Sequence, residues 1–294
     1  MTSLNGNNCA KERKLAERSL SQELSFLRRL SLLANRRTRS ANSEISEKDL
    51  LEYLDIFGWE ALSVVVDFLG VLEFRSHREA VCDYLVKAGS DYIDIISRGI
   101  FDRRWFVVRN SVSVMARIGG EKAFGYIEKA IGHEDSRVRL QIVRGLGDNS
   151  DDKSISILKQ LVWDADEIVS QVAITSLLKS DREDNFKTIT EIINDDRFAT
   201  FSESNQEMFI TIFSKMGGEY AVSYLTTLIS GWGLMQTQTQ EFYQRTAFKA
   251  LSQNRSEKAE AALLKLSRSW RKGIRQMAQT AIKERRAIIY GDDE

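Results

Sequence analysis

Proline is absent from this sequence of 294 residues, although average usage would give about 15. Folds rich in strands and long loops usually need proline in their turns, whereas helices joined by short polar turns can do without it. The two cysteines, Cys9 and Cys82, are too few for a disulfide framework, and neither has a partner at metal-ligand spacing. These absences favour an all-α protein of a reducing compartment, and we expect it in the cytoplasm.

Long apolar runs are also lacking. The nearest candidate, from Leu62 to Leu72, is interrupted by Asp67 and falls short of the ~18–20 residues that a membrane span requires. The N-terminus lacks the apolar core and small-residue cleavage site of a secretory signal. The sequence therefore predicts no transmembrane segment.

Catalytic motifs are equally scarce. The only histidines are His77 and His133, and both are expected in turns between helices. No glycine-rich loop follows a strand, and the paired carboxylates fall on predicted loops without a pocket. The sequence therefore predicts a protein that is not an enzyme, with no catalytic residue, no metal site and no cofactor.

Charge is balanced overall but unevenly distributed. Lys and Arg number 42, as do Asp and Glu, but residues 1–40 carry nine basic against three acidic side chains. Residues 41–254 carry 23 basic against 33 acidic ones. A nucleic-acid groove should be dominated by Lys and Arg, which replace the counterions of the phosphates. The acidic middle of the chain therefore argues against general nucleic-acid binding.

An apolar pattern of helical spacing recurs along the chain. It is clearest from Val108 to Ile118, where one apolar face is followed by Gly119-Gly120, a pair that can end a helix. Similar segments begin at the anchor positions 76, 108, 138, 169, 206, 243 and 274. A second apolar segment lies between successive anchors from 108 onwards, so each unit is expected to contain two helices. Two spacings of 37 residues place extra residues at 195–204 and 230–240, which we interpret as longer loops.

The motifs of these units carry a resemblance. Val-Arg at 108–109, the closing Ile-Gly-Gly at 118–120 and the segment from His133 to Arg139 resemble HEAT repeats of the bilin-lyase-like type over about residues 75–285. The resemblance implies an α-α superhelix, a solenoid of about seven two-helix units with the anchor helices on its concave side. Neighbouring units must stack, because one unit cannot bury its apolar stripe alone.

The turns depart from the family pattern. The proline of that family is replaced by Glu134-Asp135-Ser136 and by Asp164-Ala165-Asp166. Asp and Ser can cap the following helix by accepting its free amide hydrogens, so the turns are expected to persist. The arginines that follow the first buried residue of their helices are expected to pair with acids of adjacent turns such as Asp102 and Asp135. These arginines are Arg109, Arg139 and Arg275.

The chain is predicted to divide into five segments. A disordered tail covers 1–10, a basic amphipathic helix 11–40, an N-terminal helical cap 41–74, the HEAT-like solenoid 75–289 and an acidic tail 290–294. The leucine face of the basic helix is expected to cap the first repeat. Contact with an acidic partner or a membrane surface is the alternative. A weak capping box is expected at Ser46 to Asp49.

The exposed positions of the anchor helices define a candidate groove. Several are apolar, which is typical of a protein-binding surface. The predicted partner-binding residues are Asn110, Ser113, Arg117, Leu140, Val143, Arg144, Gln171, Ile174, Leu178, Met208, Arg245 and Phe248.

A second constellation, Arg103-Arg104-Trp105, lies at the entry to the clearest repeat. Arginine and aromatic side chains can stack on bases or grip a partner, and HEAT-like DNA glycosylases use aromatic and acidic residues in this way. Packing between repeats is the other interpretation of Trp105.

The sequence therefore predicts a non-catalytic scaffold or adaptor that binds a protein partner of unknown identity along the concave face. Two alternatives remain open. The first, a bilin-lyase-like chromophore attachment factor, is implied by the resemblance alone. The second is a HEAT-like nucleic-acid-binding protein.

Overall fold

The architecture comes from a computed structural model, which describes Ser25 and residues 46–55, 62–149, 151–179, 183–231 and 238–290. Within these ranges the regular structure is helical, with fifteen α-helices and no strand, as the sequence predicted. The predicted tail at 1–10, the basic helix at 11–40 (apart from Ser25) and the acidic end at 291–294 lie outside the described residues. None of the described helices is long and apolar enough to cross a membrane.

The chain divides into two compact units, Met1–Leu146 and Gly147–Glu294. In the first unit, α3 packs against α5 and α5 against α7, while α2, α4 and α6 pack against the α3–α5 pair. Short 3-10 turns at Ser90–Tyr92 and Ser97–Phe101 flank α4. The helices are α1 (Glu47–Asp55), α2 (Leu62–Phe68), α3 (Arg75–Gly89), α4 (Ile93–Ile96), α5 (Trp105–Ile118), α6 (Gly120–Glu128) and α7 (Ser136–Leu146).

The second unit repeats this arrangement. Helix α9 packs against α11, α11 against α13 and α13 against α15, with α8, α12 and α14 packed against this row. The helices are α8 (Asp152–Leu161), α9 (Glu167–Lys179), α10 (Glu183–Asn194), α11 (Glu203–Met216), α12 (Gly218–Ser230), α13 (Gln238–Gln253), α14 (Glu257–Leu266) and α15 (Lys272–Tyr290).

The predicted repeat is confirmed in both units. Each of the seven anchor positions falls within a helix, namely α3, α5, α7, α9, α11, α13 and α15 in chain order. The second apolar segments form α6, α8, α10, α12 and α14. Within each unit, successive anchor helices pack against one another, and their buried apolar side chains form the core of that unit.

Side-chain caps replace the missing proline. Asp151 accepts a hydrogen bond from the Ser154 amide at 2.9 Å and begins α8. Ser202 and Ser256 begin α11 and α14 in the same way, each accepting from the third residue onwards at 3.2 Å. The capping box at the start of α1 is confirmed, because the Asp49 amide donates to Ser46 Oγ and the Ser46 amide donates to the Asp49 carboxylate.

Gly119 and Gly120 separate α5 from α6. Their φ angles are 72° and 86°, in the region that favours glycine. The Gly119 amide donates to the Met115 carbonyl at 2.9 Å and so closes α5. The prediction that this pair ends the helix is confirmed.

The longer loop predicted at 195–204 is confirmed over residues 195–202, which connect α10 to α11. A 3-10 turn occupies Asp196–Thr200, and Phe198 within it is only 1% exposed. Its ring packs edge-on against Phe201 and Phe209, with centroids 5.8 and 5.7 Å away. The extra residues therefore contribute to the core. Of the other predicted loop, residues 232–237 lie outside the described part of the chain.

Candidate functional site

A polar cleft of about 470 Å³ lies against α3, α5 and α7 in the first unit. Four of the predicted partner-binding residues line it, namely Asn110, Ser113, Arg117 and Arg144. The structure therefore brings these four together. We call this site the arginine cleft, and its defining residues are Arg75, Arg78, Arg109, Asn110, Arg117 and Arg144.

Helical spacing aligns these side chains. Residues 75, 78, 79 and 82 lie on one face of α3, and residues 109, 110, 113 and 117 on one face of α5, at intervals of one, three and four. Arg75, Arg78 and Gln141 were missed from the sequence, and Arg109 was assigned another role. The polar stripe along α3 is the sequence signal that indicates Arg75 and Arg78.

Two of the five arginines are paired within the cleft. Arg75 Nε lies 2.7 Å from Glu79 Oε1, and Arg117 Nη1 lies 2.7 Å from Asp83 Oδ1. Glu79 and Asp83 also line the cleft. Among the described residues, Arg78, Arg109 and Arg144 have no carboxylate within salt-bridge distance. The cleft therefore carries an excess of positive charge.

Arg109 is held beside Asn110. Its Nη2 donates to Asn110 Oδ1 at 3.1 Å, which fixes the orientation of the carboxamide. Asn110 is only 6% exposed, and its Nδ2 is buried with no acceptor among the described residues. Burial lowers the pKa of Arg109, and the nearby positive charge of Arg78 lowers it further. The unpaired Nδ2 of Asn110 and the Arg109 guanidinium, which lies near other guanidinium groups, are therefore neighbours in the cleft.

Cys82 lies in the wall of the same cleft. It is 7% exposed, and burial raises its pKa to about 11. The side chain is therefore a neutral thiol at physiological pH. It contributes no negative charge that could offset the arginines.

Side chains near the start of several anchor helices donate hydrogen bonds to backbone carbonyls. Arg78 donates to the carbonyls of Leu72 and Glu73, at 2.8 and 2.9 Å. Arg139 donates in the same way to the carbonyls of His133 and Glu134. Each bond satisfies backbone carbonyls of the preceding turn. Equivalent bonds in the second unit come from Ser170 to Val162, Gln206 to Phe201, Gln244 to Ile229 and Arg275 to Ser269.

The predicted pairing of Asp102 and Asp135 with these arginines is wrong. Asp102 and Asp135 instead bind the arginine two residues later in their own turns, Arg104 and Arg137, each with contacts of 2.9 and 2.7 Å. An Asp-x-Arg turn lets one carboxylate accept both guanidinium donors of its neighbour. Arg139 and Arg275 donate to turn carbonyls, whereas Arg109 donates to Asn110.

The Trp105 ring is covered by the Arg137 guanidinium. The guanidinium carbon of Arg137 lies 3.5 Å from the centre of its ring, while Asp135 holds that guanidinium in place. In the second unit Arg197 lies 4.1 Å from the Trp163 ring and is bound by Asp195. In the candidate constellation Arg103-Arg104-Trp105, Arg104 is bound to Asp102 and Arg103 is exposed. The tryptophan thus packs between turns.

Part of the chain matches the model of a known protein family. Residues 102–178 and 125–204 match a family model described as HEAT repeats. The chain contains HEAT repeats. The match does not specify the bilin-lyase-like type, which stays a resemblance.

Two further comparisons complete this finding. The crystal structure of an engineered protein from the Northeast Structural Genomics Consortium is similar over 77% of this chain and 96% of its own, with 18% identity. Its TM-score is 0.31, so it supports no conclusion about fold or function. No curated protein sequence matches the chain significantly.

Several predicted groove residues lie in the core of the HEAT repeats. Val143 and Ile174 are fully buried, and Leu178 and Phe248 are each 3% exposed. The prediction that they are exposed is wrong. The apolar stripe of an anchor helix packs against its neighbouring helices, so its residues do not form a surface. Leu140, Gln171 and Met208 are half-buried, and Arg245 is exposed.

Arg245 and Phe248 border a different hollow. It lies against α13 and α15 in the second unit, has a volume of about 740 Å³ and includes Met277, Ala281 and Ile288 in its lining. Four of the twelve predicted residues thus line a basic cleft in one unit, and two line an apolar groove in the other.

The two histidines differ from each other. His133 lies in a turn as predicted, and its Nδ1 accepts from the Asp135 amide at 3.0 Å. His77 does not lie in a turn between helices, because it belongs to the first turn of α3. It is 7% exposed and packs against the Phe74 ring. Neither lies in the arginine cleft.

Proposed function

We propose that this HEAT-repeat chain is a non-catalytic binding protein that holds a protein partner against the face formed by α3, α5 and α7. Solenoid repeats generally serve as extended surfaces for protein interaction. The family match supports the general role, and the arginine cleft supplies the location. No feature of the described residues requires a chemical reaction at this face.

One observation carries the proposal. Arg109, Asn110, Ser113 and Arg117 place polar groups at successive turns of α5, and all four line a cleft open to solvent. A fold stabilised only by its own contacts would gain little from keeping several arginines together here, because like charges repel. A partner that supplies negative charge and hydrogen-bond acceptors would offset this repulsion.

Site-specific cross-linking tests the location. A photoreactive amino acid is placed at Ser113, in the cleft, and in a second protein at Glu121, an exposed position of α6. In extract of the native host we expect a discrete cross-linked protein from position 113 and none of the same mass from position 121. Arg144→Glu should abolish that product while the helical circular-dichroism signal is retained.

Two results would contradict the proposed function. The first is identical products from positions 113 and 121, which would indicate random collision. The second is a product from position 113 that survives Arg144→Glu, because the partner would then not depend on the charge of the cleft.

A further inference from the structure

The arginine cleft has the chemistry of a site for one doubly charged oxyanion. We propose that it binds the phosphoryl group of a phosphorylated side chain on the protein partner. This inference rests on the proposed function, since it names the group that the partner presents. The volume of the arginine cleft, about 470 Å³, falls within the range of small-ligand pockets, roughly 300–1,000 Å³.

Charge favours a phosphoryl group over a carboxylate. Glu79 and Asp83 each accept from one arginine of the cleft, whereas Arg78, Arg109 and Arg144 have no such partner among the described residues. A carboxylate brings one negative charge, while a phosphoryl group brings about −1.5 to −2 charges and three strong acceptor oxygens. The dianion therefore balances more of the excess and can accept from several guanidinium groups at once.

Asn110 supplies an independent indication of a ligand. Its carboxamide oxygen is used by Arg109, so the buried Nδ2 points away from that bond and has no acceptor among the described residues. Buried donors without an acceptor are rare in folded proteins. Asn110 lines the cleft, and turning its carboxamide towards a bound phosphoryl group would give Nδ2 an acceptor.

Arg109 is the anchor-helix arginine that the fold leaves available. Arg78, Arg139 and Arg275 donate to turn carbonyls, but Arg109 donates to Asn110 instead. The Arg109 guanidinium makes no bond to a carbonyl of the turn before α5 and lines the cleft.

The electrostatics of Arg109 agree with an anion site. Its pKa is lowered by burial and then by the neighbouring Arg78, so the charged form is less stable than in water. An anion bound between the two guanidinium groups would reverse the second effect. The bound group and Arg109 should consequently stabilise each other.

The same cleft is poorly suited to a nucleic-acid strand. A strand carries a phosphate at every nucleotide, and its binding grows with the number of basic side chains along the path. Glu79 and Asp83 flank the arginines, and residues 41–254 carry more acids than bases. A single phosphorylated side chain brings no neighbouring phosphates and avoids this repulsion.

Isothermal titration of the full chain tests the proposal. The probes are a short neutral peptide with one phosphoserine, the same peptide with serine, inorganic phosphate and a 20-nucleotide single strand. We expect the phosphopeptide to bind at least about tenfold more tightly than the serine peptide, because each charged hydrogen bond contributes about 1.5–3 kcal/mol. Binding of inorganic phosphate at the same residues would support the phosphoryl chemistry and identify the free ion as an alternative source.

Variants locate the binding. Arg109→Gln should weaken phosphopeptide binding about tenfold or more, and Arg144→Gln, at an exposed position that folding tolerates, should weaken it severalfold. Arg268→Gln is the matched control, because Arg268 is an exposed arginine of the second unit outside the cleft. It should leave binding unchanged.

Three outcomes would overturn the proposal. They are equal affinity for the phosphoserine and serine peptides, undiminished binding in Arg109→Gln and Arg144→Gln, and tighter binding of the oligonucleotide at these arginines. The first outcome together with the cross-link at Ser113 would leave the proposed function standing without the phosphoryl group. Loss of both the cross-link and peptide binding would remove the two proposals together.

Discussion

The two hollows beside the anchor helices differ in chemistry although the helices around them pack alike. The arginine cleft is lined by α3, α5 and α7 and contains five arginines, while the lining of the hollow beside α13 and α15 includes Phe248, Met277, Ala281 and Ile288. In both, one anchor helix packs on the next. The backbone of the repeat therefore determines where a hollow forms, and the side chains at successive helical turns determine what it can bind.

The difference also concerns stability. Phe248 lines the groove and is at the same time part of the core, since it is 3% exposed. In the arginine cleft, Arg117 and Arg144 are exposed side chains outside the core. Arg117 and Arg144 can therefore change at little cost to folding, whereas Phe248 cannot.

The largest effect is expected at Phe248. Phe248→Ala should lower the free energy of unfolding by about 3–5 kcal/mol, because it removes a buried ring and leaves a cavity. Urea denaturation followed by circular dichroism measures this. The matched changes are Leu264→Ala in α14, where the leucine is 43% exposed, and Arg144→Gln, and each should stay within about 0.5 kcal/mol. A loss below 1 kcal/mol for Phe248→Ala would show that the groove wall is not core.

The second effect compares two arginines of neighbouring anchor helices. Arg139→Met should destabilise by about 1–3 kcal/mol, since the carbonyls of His133 and Glu134 lose a donor. Arg109→Met should destabilise less than Arg139→Met, because the loss of its hydrogen bond to Asn110 is offset by the removal of a cation that lies beside other cations. Equal losses in urea denaturation would contradict the view that Arg109 is not needed for its turn.

A third effect, on pH dependence, should be shared by the two units. Arg137 and Arg197 lower the pKa values of Asp135 and Asp195 to about 2, below the ordinary value of about 3.9 for the unfolded chain. The stability these pairs provide is present above about pH 4 and is lost as the pH falls towards 2. Asp135→Asn should therefore lower the urea midpoint at pH 7 by more than at pH 3.

Asp195→Asn should behave in the same way as Asp135→Asn, because the geometry of its turn is the same. Asp196→Asn is the control, since its carboxylate is exposed beside that pair. A difference between wild type and Asp135→Asn that stayed constant from pH 7 to pH 3 would contradict the ion-pair interpretation.

The smallest effect concerns the thiol in the cleft wall. Burial raises the pKa of Cys82 to about 11, so its alkylation by iodoacetamide at pH 8 should be about tenfold slower or more than in urea. Cys9→Ser is used so that Cys82 is the only thiol. Equal rates in the folded and unfolded protein would show that the cleft wall is open at this position.

Much of the fold could be predicted because the repeat is recognisable from residues that are close together in the sequence. Apolar residues at helical spacing identified all seven anchor helices, and Asp and Ser before a helix identified its cap, as at Ser46. The 3-10 turn around Phe198 could not be predicted, because its stability comes from rings that the fold brings together. Burial of Val143 and Ile174 was missed for a related reason, since an apolar position does not show which neighbour covers it.

The candidate site was predictable in part. Asn110, Ser113, Arg117 and Arg144 were predicted as exposed positions of α5 and α7, and the cleft contains all four, although Asn110 is buried. Arg75 and Arg78 belong to α3, and only the packing of α3 on α5 places them beside the cleft residues of α5.

The sequence by itself determined the all-α repeat, its helices and its proline-free turns, because each depends on residues within a few positions of one another. The tertiary structure alone decided what the arginines do. Arg109, Arg139 and Arg275 occupy similar positions after a buried residue, but two of them bind turn carbonyls and one lies at a cleft. A hydrogen-bond partner is chosen by what remains unsatisfied nearby in space, and local spacing does not encode that.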